Sequence, residues 1–332
     1  MANNNSSSSF YPVANHTVKV LLPIFFSANE AVTVKQSVQD VLQANGSNIQ
    51  FLILDFAQTT FMDSSGIGAL VNCRKSAQQQ GAALRLINVP SQVRLVLALT
   101  DLDKVFDIEP ETIVPAQEPV KKTDNLTIVT HPSVQSRSKR VLDILGSLAG
   151  LSITALIFIP IAIAIKLEDG GPIFFSQIRC SWLGKRFRMW KFRSMVTNAE
   201  ALKHTIENKV SGALFKNPDD PRITRIGKFL RRTSLDEFPQ FWNVLKGEMS
   251  LVGTRPPTPD EIDRYEILQW RRLDIKPGIT GEWQVNGRSK ITNFEQVVEL
   301  DIRYQENWSF WYDIQLLWKT VIMMFNKNSG AY

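Results

Sequence analysis

Asp236 and Glu237 are adjacent carboxylates, and they are the residues whose types and surroundings are best suited to chemistry. A basic run precedes them, and its spacing of three and four residues places several members on one helical face. The run consists of Arg222, Arg225, Lys228, Arg231 and Arg232. Adjacent acids beside arginines suit a nucleophile that acts on a phosphate ester with a metal partner. The ordinary alternative for an isolated Asp–Glu pair is a helix cap with surface ion pairs.

The residues that follow the pair predict how it is positioned. Pro239 favours the first turn of a helix, so a helix is expected to begin there. The carboxylates would then lie at the positive end of a helix dipole, which keeps them ionised and also attracts phosphate.

An uncharged apolar run from Ile144 to Ile165 is long enough for a membrane helix, since about 18 such residues suffice. Pro160 interrupts the run, and proline inside a helix removes a hydrogen bond and forces a kink. Basic residues flank both ends, and the positive-inside rule would place both flanks in the cytosol. The flanking residues are Arg137, Lys139 and Arg140, then Lys166, Arg179, Lys185, Arg186 and Arg188. We therefore expect a re-entrant helix over 138–166 that breaks at Pro160; a straight spanning helix that tolerates the proline is the alternative.

Two later segments, 225–245 and 307–325, mix Trp, Phe and Leu with basic residues. This composition is typical of helices that lie in a membrane interface. The alternative is that their aromatic side chains form the core of the domain.

The front of the chain has a different pattern. Residues 17–114 alternate short apolar strands with helical spacing, which predicts a small α/β domain. A polar tail, 1–16, is expected to be disordered, and it lacks the pattern of a signal peptide. A linker with several prolines, 115–136, separates it from a second domain, 137–332.

The net charge and the few cysteines and histidines argue against several classes of protein function. The net charge of +6 allows an anionic partner without choosing one. Cys73 and Cys180 stand in no ligand spacing, and the three histidines form no cluster. A disulfide framework, a zinc site and histidine-based catalysis therefore have little support, and a reducing cytosol fits.

Three segments, 171–195, 220–257 and 276–289, resemble motifs of the bacterial sugar transferase family, the monotopic polyprenyl phosphate phosphoglycosyl transferases. The resemblance runs from about 138 to 325 and includes the apolar run with Pro160. One motif departs from the family: the RxGxxG stretch that begins at Arg179 has Ser181 where glycine is expected. The departure puts the local turn geometry in doubt but not the chemistry.

The resemblance implies roles for the charged residues. Asp236 would be the nucleophile and Glu237 would assist it, with Mg²⁺ bridging the two carboxylates and the donor diphosphate. Arg231 and Arg255 would bind phosphate, as guanidinium groups do through paired hydrogen bonds. Further donor-site residues would be Lys191, Arg193 and Arg288, for which a solvated basic surface is the alternative.

The same resemblance implies a reaction. A hexose 1-phosphate would pass from UDP-glucose or UDP-galactose to undecaprenyl phosphate through an aspartyl-phosphosugar intermediate. UMP would be released, and the step would begin polysaccharide synthesis, such as that of an exopolysaccharide.

Residues 55–70 and 84–108 resemble the STAS domain of anti-sigma factor antagonists. In that family a partner kinase phosphorylates the serine after an aspartate, which is Ser64 after Asp63 here. The alternative is that Ser64 and Ser65 only cap a helix.

The expected protein is thus an α/β STAS domain followed by a mainly helical (α+β) monotopic membrane domain. It would lie on the cytoplasmic face of a bacterial inner membrane as a homodimer with both termini in the cytosol. A kinase or regulatory protein is an expected partner, and nucleic acid is not. Two alternatives remain: a glycosyltransferase that releases UDP, and a non-catalytic membrane scaffold that carries a STAS domain.

Overall fold

The computed structural model describes residues 10–13, 16–45, 48–109, 130–202, 205–206, 208, 217, 219–287, 291 and 293–325. The chain forms two compact units. The first contains the front domain together with residues 183–185 and Tyr265–Asp274, and the second contains the remainder from His131.

The first unit is built on a five-stranded sheet in the order β1-β2-β4-β6-β7. Only β1 runs antiparallel to its neighbour, so the sheet is mostly parallel, as alternating strands and helices predict. The elements are β1 (Phe10–Val13), β2 (Thr17–Leu21), β3 (Phe25–Phe26), α1 (Ala28–Asn45), β4 (Phe51–Asp55), β5 (Phe61–Met62), α2 (Ser64–Gln79), β6 (Ala83–Ile87), α3 (Ser91–Leu99) and β7 (Asp107–Ile108). These confirm the predicted small α/β domain, but β1 lies within the tail that was expected to be disordered, because it pairs with β2 at the edge of the sheet.

Helix α2 begins at Ser64, and its N-cap is Asp63 rather than either serine. Asp63 caps it, because its carboxylate accepts a hydrogen bond from the Gly66 amide at 3.0 Å. The helix is followed by Gly81, whose φ of +75° favours glycine and ends the turn.

The second unit begins with a short helix, α4 (Pro132–Gln135), and a 33-residue helix, α5 (Arg137–Asp169). Among the described residues, α5 is the helix long and apolar enough to cross a membrane, with a mean hydropathy of 2.5 and only 22% of its most apolar window buried. It is continuous through Pro160, so the expected break in secondary structure is wrong. A proline costs one hydrogen bond and bends a helix, but flanking turns can remain helical.

Small residues on α5 let neighbours approach closely. A Cβ added at Gly146 would lie 2.5 Å from the Leu251 side chain, and one at Gly150 would lie 2.5 Å from Phe241. Two of the flanking cations are used inside the protein rather than at its surface. Lys139 forms a buried ion pair with Asp313 at 2.6 Å, and Arg140 donates to main-chain carbonyls at the end of a later helix.

The rest of the second unit mixes short helices with two small sheets. Strands β8 (Phe174–Cys180) and β9 (Arg186–Phe192) form an antiparallel hairpin, and β10 (Ser250–Val252) pairs in parallel with β11 (Gly278–Thr280). The helices are α6 (Arg225–Arg232), α7 (Gln240–Lys246), α8 (Pro259–Ile262), α9 (Glu282–Gly287), α10 (Phe294–Glu306) and α11 (Phe310–Phe325). Together these elements confirm the expected mainly helical (α+β) second domain.

The aromatic segments divide between core and surface. Leu316 lies in a buried cluster against which Trp308 and Tyr312 pack, whereas Trp311 is 72% exposed and Trp318 67% exposed. Helix α11 therefore contributes to the core with one face and leaves two tryptophans on the other, as an interfacial helix would.

Candidate active site

Asp236 and Glu237 lie on one turn of 3₁₀ helix, Leu235–Glu237, between α6 and α7. Ser234 enters this turn with a φ of +57°, a left-handed conformation that is uncommon outside glycine. Helix α7 begins at Gln240 with Pro239 as its N-cap, one residue from the predicted start. The Asp236 side chain is buried, with the residue only 5% exposed, so it does not point into bulk water.

Apolar neighbours on both sides of the carboxylates anchor the turn. Leu235 and Phe238 pack against a cluster that contains Phe192 of β9, Leu230 of α6 and the Ile161–Ile165 face of α5. The apolar helix and the carboxylate turn thus share one small core, which fixes the turn relative to the second half of α5.

The end of α5 also holds the helix that leads into the turn. The Glu168 carboxylate accepts hydrogen bonds from the amides of Arg225 and Ile226, at 2.7 and 3.2 Å. A carboxylate at the N-terminus of a helix satisfies unpaired amides and complements the helix dipole. The position of α6, and of Arg231 in its last turn, therefore depends on α5.

Lys191 is a predicted donor-site residue that the structure brings to Glu237. Its ammonium nitrogen lies 2.9 Å from Oε1 of Glu237, and both side chains are about one quarter exposed. This contact places one positive charge beside the second carboxylate.

Arg193 has a different partner. It pairs with Asp169 at the end of α5 and is buried, and a Cβ added at Gly171 would collide with its guanidinium group. Its Nη1 atom is buried without a hydrogen-bond partner in the described part of the chain. Arg193 therefore holds the C-terminal end of α5 through Asp169. Its Nη1 atom is still available to donate a hydrogen bond.

Arg231 lies close enough to Asp220 to influence its ionisation. Burial opposes the charge on Asp220, but hydrogen bonds and charge from Arg222, with a contribution from Arg231, hold its pKa below the usual value. The Arg222–Asp220 pair itself is buried, with a separation of 2.7 Å. Part of the predicted basic run is thus structural.

Arg255 forms an ionic cluster with Glu261 and Arg179. Its guanidinium group donates to both Glu261 oxygens, at 2.9 and 3.1 Å. Burial would raise the pKa of Glu261, but the charge and hydrogen bonds of Arg255, together with Arg179, bring it to about 2.

The β8–β9 hairpin gives the distance along the strands between Arg179, a member of this cluster, and Lys191. Lys191 pairs with Phe175 in the register, and Phe175 precedes Arg179 by four residues on β8. Four residues of strand span about 13 Å. Lys191 and Arg179 therefore stand near opposite ends of one rigid hairpin, a spacing that suits a ligand longer than a single phosphate.

Glu261, Arg179 and Asp169 were not predicted as site residues. A signal existed for Glu261, because Thr258 and Glu261 have the spacing of a capping box, and the structure shows that box. No sequence pattern links Asp169 to Arg193 or Arg179 to Glu261. The predicted residue Arg288 lies outside the described residues.

The serine in the RxGxxG stretch has a specific contact. The Ser181 hydroxyl donates to the Glu248 carbonyl at 2.6 Å. The left-handed residues of this turn are Leu183 and Gly184, with φ of +56° and +88°. The substitution at 181 is therefore accommodated, because the strained positions come later in the turn.

Asp236 and Glu237 offer a metal ion two adjacent carboxylates rather than a larger cluster of ligands. No group of three or more His, Cys, Asp or Glu side chains suitable for a metal occurs within the described ranges. Magnesium is usually held by one or two carboxylates, with water and substrate phosphates completing its six ligands. Asp236 and Glu237 therefore fit a magnesium ion that arrives with a phosphorylated substrate.

Ser64 is the first residue of α2 in the first unit and is fully buried.

Comparison with known proteins decides the family. The model of the family described as bacterial sugar transferase matches residues 134–327, more than half of the chain. The chain belongs to this family. The model of the STAS domain matches residues 16–113, so the front domain is a STAS domain.

Curated relatives carry related names. The galactosyl transferase CpsE of Streptococcus agalactiae is 52% identical over 186 residues, covering 55% of this chain and 41% of that protein. The UDP-galactose-lipid carrier transferase of Erwinia amylovora is 44% identical over 202 residues, covering 58% and 41%. The uncharacterized sugar transferase EpsL of Bacillus subtilis is 41% identical over 183 residues, covering 55% and 85%. The chain spans about two fifths of the length of the first two.

Among solved structures, the anti-sigma factor antagonist SpoIIAA in its unphosphorylated form covers 32% of this chain and 89% of its own, at 17% identity and a TM-score of 0.27. The STAS assignment therefore rests on the family match over residues 16–113.

Proposed function

We propose that this sugar transferase moves a hexose 1-phosphate from a UDP-sugar to a polyprenyl phosphate and releases UMP. The observation that carries the proposal is the buried Asp236 on a turn that shares a core with the apolar helix α5. A nucleophile in this position can serve a water-soluble donor and a lipid acceptor in succession. The names of two relatives support the substrate classes. The relative from Salmonella typhimurium is named undecaprenyl-phosphate galactose phosphotransferase, and the one from Escherichia coli is named UDP-glucose:undecaprenyl-phosphate glucose-1-phosphate transferase.

The reaction would proceed in two displacements at phosphorus. A carboxylate oxygen of Asp236 attacks the phosphorus that bears the sugar, the bond to the bridging oxygen breaks, and UMP leaves with that oxygen. A phosphate oxygen of the polyprenyl phosphate then attacks the same phosphorus and releases the carboxylate. The burial of Asp236 protects the acyl-phosphate intermediate from water between the two steps.

Other residues of this chain would bind and orient the donor. Lys191 partly neutralises Glu237, which reduces the repulsion between the carboxylates and an incoming diphosphate. Arg231 and Arg255 supply positive charge for phosphate groups. Asp236 and Glu237 would hold Mg²⁺, which supplies charge neutralisation of phosphoryl oxygens when bound.

The proposed location is the cytoplasmic face of a bacterial inner membrane. Helix α5 exposes a row of large apolar side chains, and α11 exposes two tryptophans. The exposed α5 residues are Val141, Leu145, Leu148, Ile153, Leu156, Ile159, Ile163 and Leu167. UDP-sugars are cytosolic substrates, so the site must face that side. We also propose that the protein is a homodimer and that the continuous helix α5 enters the membrane and returns to the same side.

The test uses the full-length protein in a membrane mimetic with UDP-glucose or UDP-galactose. Wild type should release UMP when polyprenyl phosphate is added, and intact mass spectrometry without acceptor should show a hexose phosphate adduct. Asp236→Asn should lose both, whereas Glu299→Gln, which removes an exposed acid on α10, should keep both. Release of UDP would instead indicate a glycosyltransferase, and turnover that survives Asp236→Asn would exclude this nucleophile.

A further inference from the structure

A segment from the transferase sequence packs inside the first unit. Residues Tyr265–Asp274 lie within the sugar transferase match, yet they form one compact unit with the STAS domain. The segment contains a 3₁₀ helix, Ile267–Leu273, whose capping box joins Glu266 and Gln269. Arg272 is almost fully buried, and its guanidinium group bonds to the Tyr265 hydroxyl and lies 5.7 Å from that ring. Contacts within the segment therefore help to define its conformation.

The segment meets the STAS domain at the start of α2. A Cβ added at Gly68 would lie 2.6 Å from the Trp270 ring, so the ring lies directly on the helix backbone. Trp270 is itself buried. Only glycine at position 68 allows this approach.

Ser64 makes the polar half of the contact. Its hydroxyl lies 2.6 Å from the Trp270 carbonyl and 2.6 Å from Oδ1 of Asp274, and its amide donates to the same Asp274 oxygen at 3.1 Å. A hydroxyl carries one proton, so it donates to one of these acceptors at a time. Asp274 thus satisfies an amide at the N-terminus of α2, beside the capping residue Asp63.

This contact leaves no room for added charge at Ser64. The side chain is fully buried, and two carboxylates, Asp63 and Asp274, already lie around it. Any larger or anionic group at this position would clash with Trp270 and repel both carboxylates. The segment therefore cannot stay bound at the start of α2 when the Ser64 side chain is enlarged.

Both ends of the segment continue into the residues that hold Arg255. On the N-terminal side, Glu261 precedes the segment by four residues and pairs with Arg255. On the C-terminal side, Pro277 bridges Thr254, the neighbour of Arg255, and the Gly278 amide donates to the Thr254 carbonyl at 2.8 Å. The chain therefore connects the segment to the surroundings of Arg255 from two directions.

We propose that residues 265–274 are an internal ligand of the STAS domain, and that the Ser64 surface of that domain controls the geometry of Arg255 by holding or releasing them. The proposal concerns the held segment itself; only its effect on turnover rests on the proposed function. Ser64 is then a control point rather than a simple helix cap, because its state decides whether the segment stays bound.

The test compares deuterium exchange of amides 267–273 in the full-length protein. Ser64→Glu adds charge and bulk, and should speed exchange at least tenfold. Gly68→Val adds only bulk against Trp270 and should do the same without a charge. Ser64→Ala keeps the amide contact to Asp274, so exchange should change less than threefold. Exchange in β4 and β6 serves as the check that the STAS domain remains folded.

A matched control carries the same substitution at another helix start. Ser91→Glu adds a carboxylate to the first residue of α3, which is exposed, and should leave residues 267–273 unchanged. Slow exchange of 267–273 in both Ser64→Glu and Gly68→Val would overturn the proposal.

Turnover gives the second readout. Ser64→Glu should change the KM for the UDP-sugar more than kcat, because Arg255 is placed on phosphate binding. If exchange rises while UMP release stays at the wild-type level, the link to Arg255 is refuted and the proposed function stands. If wild type releases no UMP, the proposed function fails, and the exchange result still decides whether the segment is held through Ser64.

Discussion

Two pairs of carboxylates, each near the start of a helix, have different neighbours in this molecule. Asp236 and Glu237 precede α7 and have Lys191 as a close cationic neighbour. Asp63 and Asp274 lie at the start of α2, where they bind main-chain amides and a serine hydroxyl. Burial and the charge of Asp63 raise the pKa of Asp274 to about 6.

The difference shows how surroundings separate a reactive pair from a structural one. The first pair has a lysine beside it, and this positive charge favours an anionic ligand. The carboxylates of the second pair accept hydrogen bonds from amides and a hydroxyl group of the same chain, so this pair needs no ligand. The residue types alone, two acids near a helix start, would not distinguish the two.

The largest difference between the pairs should appear when both receive the same substitution. Asp236→Asn removes the nucleophile and should lower kcat by at least about 10³-fold. Asp274→Asn keeps an acceptor oxygen for Ser64, so kcat should fall less than about threefold. UMP release under saturating substrate measures both. Equal losses would mean that the second pair also takes part in turnover.

The ion pair that holds Arg255 should contribute to stability in a defined pH window. The folded-state pKa of Glu261 is depressed from 4.5 to about 2, so its contribution is present above pH 4.5 and is lost as the pH falls towards 2. Glu261→Gln should lower the free energy of unfolding at pH 7 by about 3 kcal/mol. Denaturant titrations of both proteins at pH 7 and pH 3 provide the measurement. A deficit that is unchanged at pH 3 would rule out this ion pair as its cause.

Loss of the cation beside Glu237 should cost less than loss of the nucleophile. Lys191→Met leaves Glu237 without this ammonium group and should reduce kcat/KM by about 30-fold, equivalent to about 2 kcal/mol. Lys191→Arg keeps the charge and should recover part of the loss. Steady-state kinetics with one UDP-sugar tests both variants. If Met and Arg behave alike, the charge at this position does not matter.

The smallest effect should come from the titration of Asp274. Its raised pKa means that the folded state binds more protons than the unfolded state between about pH 4 and 6, so this group lowers stability as the pH rises through that window. Asp63 opposes its ionisation, whereas Arg271 and the hydrogen bonds from Ser64 favour it. Glu30 acts on Asp63 in the same direction as burial.

Asp274→Asn should therefore flatten the pH dependence of exchange at amides 267–273 between pH 4 and 6, after correction for intrinsic exchange. Wild type should protect these amides better at pH 5 than at pH 7. The opposite slope would show that another group dominates.

Local patterns predicted several elements well. The alternation of apolar residues marked the strands and helices of the STAS domain, since each pattern reflects its own neighbours along the chain. Pro239 marked the start of α7 to within one residue. The uncharged run marked α5, but its proline did not end the helix.

Contacts between distant residues could not be predicted in this way. The pairing of Arg193 with Asp169 and of Arg255 with Glu261 depends on how strands and helices pack, and the basic run gave no sign that Arg222 would be used for structure.

The amino-acid sequence by itself determined the family, the α/β front domain, the apolar helix and the candidate carboxylates, because these depend on local spacing and residue type. Only the tertiary structure decided which charges meet and which are buried. It placed Lys191 beside Glu237 and joined Ser64 to Asp274 across 210 positions of the chain. The physical reason is that ionisation, hydrogen bonding and packing depend on distances in space, which the order of residues does not state.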